Sequence, residues 1–271
     1  MEDRMGDQQF SDVLYEVKGA VARVAINRPH TLNAFTIHTV RELTAAFRLA
    51  QADADVGVIV LTGVGDRAFC AGGDVGTENG ETFSAGADSF DAVVKEFYRV
   101  IRDCLKPVIA RVRGYAIGGG NHIAYMCDFT IASDDSTFGQ NGPRVASPAE
   151  GWYVSYLWSV VGMKRAKEMW MLCRKYTAQQ AYDWGLVNSV VPAEQLDVEV
   201  QQWCDELLAL SPTVLKTVKK SFDDSWAQTR EAQDRFRILD QVNPDFFQSG
   251  EQTEGAGAFL EKRQPDFSAW R

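Results

Sequence analysis

The sequence is poor in the residues that mark disulfide-bonded and metal-binding proteins. It contains five cysteines and three histidines, and no two cysteines form a CxxC pair. An odd cysteine count without close histidine partners predicts neither a disulfide framework nor a zinc site, so we expect no bound metal. We expect reduced, mostly buried thiols at Cys70, Cys104, Cys127, Cys173 and Cys204.

Basic residues are outnumbered and long apolar runs are missing. The chain has 28 Lys and Arg against 37 Asp and Glu, a formal net charge of -9. Nucleic-acid binding depends on clustered basic residues, so nucleic acid is not expected as a partner. Apolar runs such as 56–62 are far shorter than the roughly 20 residues of a membrane span, and the N-terminus MEDRMGDQQF has no apolar signal core. We therefore expect a cytoplasmic protein without membrane association.

The apolar content that is present suffices for one large core. Hydrophobic residues make up 45% of the 271 positions, and this length lies at the upper end of a single domain. Segments 12–17 and 20–26 are β-rich and flank Lys18-Gly19, which predicts a hairpin. Apolar spacing predicts a helix over 36–52, and the continuous apolar run 56–62 predicts a strand buried on both faces.

The following segment repeats this order and then becomes helical. Two similar units in succession predict a layered α/β core, and the long polar stretch 75–89 between them is typical of a functional or mobile loop. The second unit comprises a helix over 89–104, a strand at 108–112, a helix over 119–126 and a strand at 129–133. The remaining predicted elements are helices over 163–176, 178–184, 194–210 and 213–226 and a strand at 186–191.

Two glycine clusters, 70-CAGGD-74 and 114-GYAIGGGN-121, each follow a buried strand. Glycines there let the backbone approach a ligand and leave amide N–H groups free at a helix start. No GK[ST] follows either cluster, and no GxGxxG follows the first strand, so neither a P-loop nor a dinucleotide site is predicted. The alternative is that both clusters are ordinary turns.

Several segments together resemble the crotonase (enoyl-CoA hydratase/isomerase) superfamily. This resemblance implies an α/β fold with a repeated ββα superhelix core over 1–192 and a helical segment over 193–271 that mediates oligomerisation. It also implies homotrimers or hexamers built as dimers of trimers. The segments are 27-NRPHTLNAF-35, 66-DRAFCAGGD-74, 106-KPVIARVRGYAIGGGN-121, 127-CD-128, 138-FGQNGP-143 and 177-TAQQAYDWGLVNSVVP-192.

The resemblance implies an acyl-CoA thioester as substrate, with CoA as part of the substrate and no tightly bound cofactor. The amides of Gly73 and Gly119 would form an oxyanion hole for the thioester carbonyl, an arrangement that stabilises a developing enolate. The positions implied to contact CoA or the thioester are Ala71, Gly72, Gly73, Asp74, Val75, Tyr115, Ala116, Ile117, Gly118, Gly119 and Lys262.

Two departures from the family pattern bear on the reaction. Hydratases of this superfamily carry one glutamate just after the GGG run and a second just after FGQP, and the two hold the water that adds to the double bond. The corresponding residues here are His122 and Gly142. Without that acid/base pair, simple hydratase activity is not expected.

The C-terminal half resembles two narrower groups. Stretches 138–147, 161–176 and 261–270 are similar to 1,4-dihydroxy-2-naphthoyl-CoA synthases and to 2-ketocyclohexanecarboxyl-CoA hydrolases, and 66–74 with 106–121 favours the hydrolases. This predicts hydrolytic ring opening of a cyclic β-keto acyl-CoA through an enolate. The alternatives are synthase-type ring closure, then hydratase or isomerase activity, then a non-catalytic CoA-binding protein.

Individual residues extend this resemblance. Ser147 matches a serine that binds the substrate, and Gln140, Gly142 and Trp170 match positions that bind bicarbonate in one class of the synthases. A catalytic aspartate is replaced by Ala149, followed directly by Glu150. The substrate-pocket positions are Gln140, Asn141, Gly142, Trp152, Trp170 and Phe247, the last of which stands where these groups have a C-terminal tyrosine.

We hypothesise that His122, with Glu150, activates a water or shuttles a proton, because an imidazole titrates near neutral pH. The alternative is a packed helical histidine, and His30 and His38 are interpreted as surface or loop residues.

An aromatic cluster follows Ser147. It either lines an apolar acyl pocket or packs in the core. Its members are Trp152, Tyr153, Tyr156 and Trp158.

Overall fold

The computed structural model describes residues 4–5, 10–75, 89–234 and 238–271. The described strands are β1 (Arg4–Met5), β2 (Val13–Lys18), β3 (Val21–Ile26), β4 (Val58–Gly63), β5 (Ala68–Cys70), β6 (Val108–Val112), β7 (Tyr115–Ile117), β8 (Phe129–Ser133), β9 (Thr137–Gly139), β10 (Lys175–Thr177) and β11 (Ser189–Val191). The described α-helices are α1 (Ile37–Ala52), α2 (Phe90–Asp103), α3 (Gly119–Met126), α4 (Gly142–Val145), α5 (Trp152–Val161), α6 (Met163–Leu172), α7 (Ala178–Asp183), α8 (Leu196–Leu208), α9 (Pro212–Asp234), α10 (Ile238–Val242) and α11 (Glu251–Leu260). Short 3₁₀ helices span Pro29–Thr31, Ala193–Gln195 and Ser268–Trp270.

A seven-stranded sheet forms the centre, in the order β1-β2-β3-β4-β6-β8-β11. Strands β2 and β3 form the predicted hairpin, with Gly19 at a φ of 60° in the turn. From β3 onward neighbouring strands are parallel. Every residue of β4 is buried, because helices cover both faces of a parallel sheet. The predicted α/β architecture is confirmed.

A second sheet of four three-residue strands was not predicted. Its order is β10-β9-β7-β5, with β5, β7 and β9 parallel and β10 antiparallel at the edge. The sequence predicts a helix over 163–176, but α6 ends at Leu172 and Cys173 adopts a left-handed φ of 50°. Lys175–Thr177 then pairs with β9, so the predicted continuation of the helix is wrong.

Helix α1 shows how local sequence sets the elements. Thr36 caps its start by accepting from the backbone N–H of Thr39 at 3.2 Å, and the Thr39 side chain completes a capping box. Val40, Leu43 and Phe47 follow at helical spacing and are buried against the sheet. Packing of this apolar face, rather than helix propensity, holds the element in place.

The helical C-terminal segment begins with a helix that covers the other face of the sheet. Leu196, Val200 and Cys204 of α8 pack with Val58 and Ile131 in a second apolar cluster. Helix α9 follows and crosses over α5 and α2. The division at residue 192 stays a prediction.

A pocket of about 460 Å³, open to solvent, lies along α9 and is lined by Pro107, Phe129, Val218 and Phe222. None of the described helices combines the length and the apolar character needed to cross a bilayer.

The predicted loop 75–89 lies outside the described residues except for its two ends, Val75 and Ser89.

The thiols of Cys70, Cys104, Cys127 and Cys204 are buried as expected, and Cys173 is half-buried.

Candidate active site

The two glycine clusters lie against each other. A Cβ atom on Gly72 would come within 3.2 Å of the Gly119 backbone nitrogen, and one on Gly119 within 3.5 Å of the Gly72 Cα. A Cβ atom on Gly120 would lie 2.0 Å from the Cys70 carbonyl oxygen. Only glycines permit this close approach of β5 to the start of α3.

The amides of Gly73 and Gly119 both point away from the surrounding ladders. Phe35 donates to the Gly72 carbonyl and accepts from the Asp74 amide, both at 2.9 Å, so the intervening Gly73 N–H faces the opposite side. Gly119 is the first residue of α3, where an N–H group has no partner within the helix. Neither amide N–H donates to an acceptor among the described residues. These two N–H groups are therefore available to a ligand oxygen.

Several other residues expected to contact CoA have structural roles. The Asp74 carboxylate pairs with Arg28 at 3.0 Å, which ties the first glycine cluster to the segment after β3. Tyr115 is 39% exposed and lies under the ammonium group of Lys175. Lys262 is exposed just after α11, with a left-handed φ of 55°. Four further positions of the clusters lie beside the two amides: Ala71, Ala116, Ile117 and Gly118 are buried or half-buried.

His122 lies one turn into α3, on the side of the helix that also carries Gly119. Its Nδ1 is 3.0 Å from the Tyr98 hydroxyl, and its Nε2 is 3.0 Å from the Gln140 Oε1. The rings of Tyr125, Tyr153 and Trp170 lie 5.0–5.7 Å from the imidazole. Both ring nitrogens of His122 are thus in hydrogen bonds, and aromatic rings surround the imidazole.

The expectation that His122 titrates near neutral pH is wrong. Burial lowers its pKa from 6.5 to about 3, although the hydrogen bond to Gln140 acts in the opposite direction. An imidazole with this pKa stays neutral at physiological pH. The exposed His30 and His38 match their interpretation as surface residues.

Two of the expected substrate-pocket residues, Trp170 and Gly142, lie next to each other beside His122. Trp170 lies 5.0 Å from the imidazole, and a Cβ atom on Gly142 would contact Trp170 at 3.8 Å. Ser147 donates its amide N–H to the Gly142 carbonyl at 3.0 Å, which closes the α4 turn beside Asn141. Gly142 and Trp170 are far apart in the sequence but form one wall together with Gln140, next to His122.

The aromatic cluster after Ser147 divides between two places. Tyr153 faces His122, and Trp152 is 1% exposed within the core. Tyr156 and Trp158 instead contact Trp226 of α9. The pocket interpretation therefore fits Tyr153, whereas core packing describes Trp152.

A polar cluster beside Tyr153 was not found from the sequence. The Lys95 ammonium on α2 pairs with Asp91 at 2.7 Å and lies 3.9 Å from the Glu150 carboxylate. Glu150 is 11% exposed in its side chain and accepts from the Leu239 amide at 2.7 Å, and its own amide donates to the Tyr153 hydroxyl. The spacing from Asp91 to Lys95 indicates an ordinary i,i+4 helix pair. Nothing in that spacing predicts that Glu150 also lies near Lys95.

The C-terminal candidate Phe247 contacts Phe246 edge to face at 5.3 Å.

Among the described residues, no group of three or more His, Cys, Asp or Glu side chains is arranged to hold a metal ion.

Comparison with known proteins gives one family and many similar structures. The family model for enoyl-CoA hydratase/isomerase matches residues 16–269. An enoyl-CoA hydratase from Mycobacterium avium subsp. paratuberculosis K-10 shares 25% identity, with a TM-score of 0.82, over 96% of this chain and 99% of that one. An enoyl-CoA hydratase/isomerase from Xanthobacter autotrophicus Py2 shares 29% identity, with a TM-score of 0.78, over 95% and 100%.

A methylmalonyl-CoA decarboxylase complexed with 2S-carboxypropyl-CoA is also similar, with 25% identity and a TM-score of 0.86 over 96% of this chain and 99% of that one. The similarity thus extends over the whole fold and includes proteins of different named activities.

Proposed function

Since the chain belongs to the enoyl-CoA hydratase/isomerase family, we propose that it hydrolyses a carbon–carbon bond in a cyclic β-keto acyl-CoA, opening the ring through a thioester enolate. The paired amides of Gly73 and Gly119 carry this proposal. Two preorganised N–H donors aimed at a developing oxyanion each contribute about 3–4 kcal/mol to transition-state stabilisation in well-studied hydrolases. They would bind the thioester oxygen and stabilise the enolate left by cleavage.

The residues at positions 122 and 142 disfavour simple hydration. Adding water across a double bond needs an acid/base pair, whereas this site has a neutral imidazole and a glycine at the two positions. An enolate-forming cleavage needs only one base to activate water, together with the oxyanion donors. This difference supports ring opening over simple hydration.

We assign Glu150 as that base. Its carboxylate takes a proton from water, and the resulting hydroxide adds to the ring ketone. Collapse of this tetrahedral oxyanion breaks the bond between the former ketone carbon and the α-carbon, giving a carboxylic acid and the thioester enolate. The protonated Glu150 returns its proton to the α-carbon, and the product acid ionises into solvent. The Lys95 ammonium lies 3.9 Å from the Glu150 carboxylate.

The comparison with methylmalonyl-CoA decarboxylase supports enolate chemistry of this kind. A decarboxylase of that substrate also breaks a carbon–carbon bond beside the thioester carbonyl. CoA enters as part of the substrate, and no tightly bound cofactor is proposed.

A second candidate is ring closure of the naphthoyl-CoA synthase type. The gathering of Gln140, Gly142 and Trp170 in one wall favours it, because these positions match a bicarbonate site in one class of the synthases. Ala149 and Phe247 replace the aspartate and tyrosine of those enzymes and count against it. Bicarbonate binding stays a prediction.

The deciding experiment incubates the purified protein with 2-ketocyclohexanecarboxyl-CoA in H₂¹⁸O and analyses the products by mass spectrometry. We expect a dicarboxylic mono-CoA ester with one ¹⁸O in its new carboxylate. Crotonyl-CoA and succinylbenzoyl-CoA, the latter with and without bicarbonate, are run in parallel. Ready hydration of crotonyl-CoA without ring opening would refute the proposal, and tight CoA-ester binding without any turnover would indicate a non-catalytic protein.

A further inference from the structure

Three buried side chains form a continuous line of hydrogen bonds that ends at Gln140, one of the positions expected in the substrate pocket. The Tyr98 hydroxyl lies 3.0 Å from His122 Nδ1, and His122 Nε2 lies 3.0 Å from Gln140 Oε1. Tyr98, His122 and Gln140 are 1%, 7% and 2% exposed. Tyr98 is on α2, His122 on α3 and Gln140 directly after β9, so the line joins three separate elements.

The chemistry of the end groups gives this line a direction. An amide oxygen only accepts, so His122 Nε2 carries the hydrogen and donates to Gln140. A neutral imidazole with its hydrogen on Nε2 accepts at Nδ1, so the Tyr98 hydroxyl is the donor there. Burial keeps the imidazole neutral by lowering its pKa, and it raises the pKa of Tyr98 well above the ordinary value, so the phenol keeps its proton.

The line ends in a donor that has no partner. The amide nitrogen of Gln140 is buried and finds no acceptor among the described residues, and the same holds for the indole nitrogen of Trp170, whose ring lies 5.0 Å from His122. Leaving a buried N–H group unpaired is energetically unfavourable. Both donors belong to residues that contact His122, and an oxygen acceptor on a bound molecule would satisfy them.

We infer that Tyr98 and His122 are positioning residues that hold the Gln140 amide N–H toward an oxygen of the acyl group other than the thioester carbonyl oxygen. The identity of that oxygen, the ring ketone, rests on the proposed function, whereas the direction of the line does not. When hydroxide adds to the ketone, this oxygen becomes an oxyanion, and a preorganised N–H donor stabilises it. The site would then stabilise two oxyanions in succession, first the ketone-derived oxyanion at Gln140 and, after the carbon–carbon bond breaks, the thioester enolate at Gly73 and Gly119.

Nuclear magnetic resonance of the ¹⁵N-histidine-labelled full-length protein tests the direction without any substrate. The signal of His122, assigned by its loss in His122→Asn, should show the hydrogen on Nε2 at pH 7 and stay unchanged down to pH 5. Observation of the hydrogen on Nδ1 would overturn the inference, because the Gln140 amide would then present its oxygen rather than its N–H.

Tyr98→Phe tests the positioning role. It removes the donor to Nδ1, and the His122 signal should lose its single fixed form. Losing one such hydrogen bond, worth about 1.5 kcal/mol, should lower kcat roughly tenfold while KM stays within about twofold. Tyr125→Phe is the matched control, since that ring is also buried, lies 5.7 Å from His122 and donates instead to the Tyr153 carbonyl. An unchanged His122 signal in Tyr98→Phe would contradict the inference.

Gln140→Glu tests the end of the line. The carboxylate can still accept from His122 Nε2 but has no N–H to donate, so kcat should fall about 100-fold, as on removal of an oxyanion donor. Wild-type kcat in this variant would overturn the role of Gln140. If no β-keto acyl-CoA is turned over while His122 carries its hydrogen on Nε2, the proposed function fails. The tautomer would then still support the direction of the hydrogen bonds from Tyr98 through His122 to Gln140.

Discussion

Gly119 is a position where a side chain would collide with the site itself. A Cβ atom there would lie 2.5 Å from the Phe35 ring, and that ring stacks on Phe90 at 5.8 Å. Either the ring or the start of α3 must shift, and both movements displace the Gly119 amide. The residue is therefore constrained by packing as well as by its N–H group.

From this contact we predict that Gly119→Ala lowers kcat about 100-fold or more, the loss typical of removing one oxyanion donor. Steady-state kinetics on the substrate identified by the product experiment gives the measurement. The control is Gly257→Ala in α11, where a Cβ atom meets nothing within 4 Å. Equal activity of the two variants would show that the Gly119 amide has no part in turnover.

His122 links the site to the stability of the fold at low pH. Its pKa of about 3 in the folded protein lies below the ordinary value of 6.5, so between these values the unfolded chain binds a proton that the folded chain does not. Stability therefore falls as the pH drops through this window. The loss between pH 7 and pH 5 should be about 2 kcal/mol.

We predict that His122→Asn removes this part of the acid sensitivity. Urea unfolding at pH 7 and pH 5 gives the two free energies of unfolding, whose difference should shrink by about 2 kcal/mol in the variant. His30→Asn, which removes an exposed histidine, is the control. If the difference is as large in His122→Asn as in the unaltered protein, the imidazole is not buried neutral.

At the level of elements, helix α9 is held to the core by a buried ion network. Lys219 donates to the Asp128 carboxylate at 2.6 Å and to the Lys106 carbonyl at 2.9 Å. Arg102 on α2 pairs with Asp223 and lies 3.8 Å from Asp128. Removing one member of such a network leaves an uncompensated buried charge, whose cost exceeds the value of the pair itself.

We accordingly predict that Asp128→Ala destabilises the protein by about 3–5 kcal/mol. As the control, Asp224→Ala removes a carboxylate of helix α9 itself, whose pairing with Lys220 is exposed, so the expected change is below about 0.5 kcal/mol. Thermal and urea unfolding of the two variants compare them directly. Similar stabilities would mean that the network does not hold α9 in place.

The elements that were predicted correctly are those whose own residues determine them. The helix at 119–126 and the strand at 108–112 carry their pattern within one segment. The strands of the second sheet have three residues each, too few for a period to appear, and exist because Ala68–Cys70 and its partners pair with one another. Their formation depends on contacts between distant segments.

The same distinction applies to the site. The glycine clusters could be identified from sequence because a close backbone approach requires glycine at those positions. Tyr98 and Lys95 could not be identified, because α2 has apolar and polar residues at ordinary helical spacing and nothing local says which of them meets His122 or Glu150. The low pKa of His122 likewise results from burial among rings from other elements.

At the scale of the whole molecule, α9 presents an apolar stripe to solvent. Val214, Val218 and Phe222 follow one another at intervals of four residues, which places them on one face of the helix, and they are 58%, 49% and 69% exposed. Single exposed apolar residues are common, whereas a continuous stripe marks an interaction surface. The predicted trimer or hexamer would bury such a stripe.

We therefore predict that the protein sediments as a trimer or hexamer and that Phe222→Glu weakens this assembly. A buried aromatic contact at an interface is worth about 2 kcal/mol or more, so the dissociation constant should rise at least about 30-fold. Analytical ultracentrifugation across a concentration series measures the shift, and circular dichroism confirms that the helix content is kept. Leu14→Glu, at a 50% exposed position on β2, is the control for adding a charge at an exposed apolar site. An unaltered assembly in Phe222→Glu, with Leu14→Glu equally unaffected, would mean that the stripe on α9 lies outside the subunit interface.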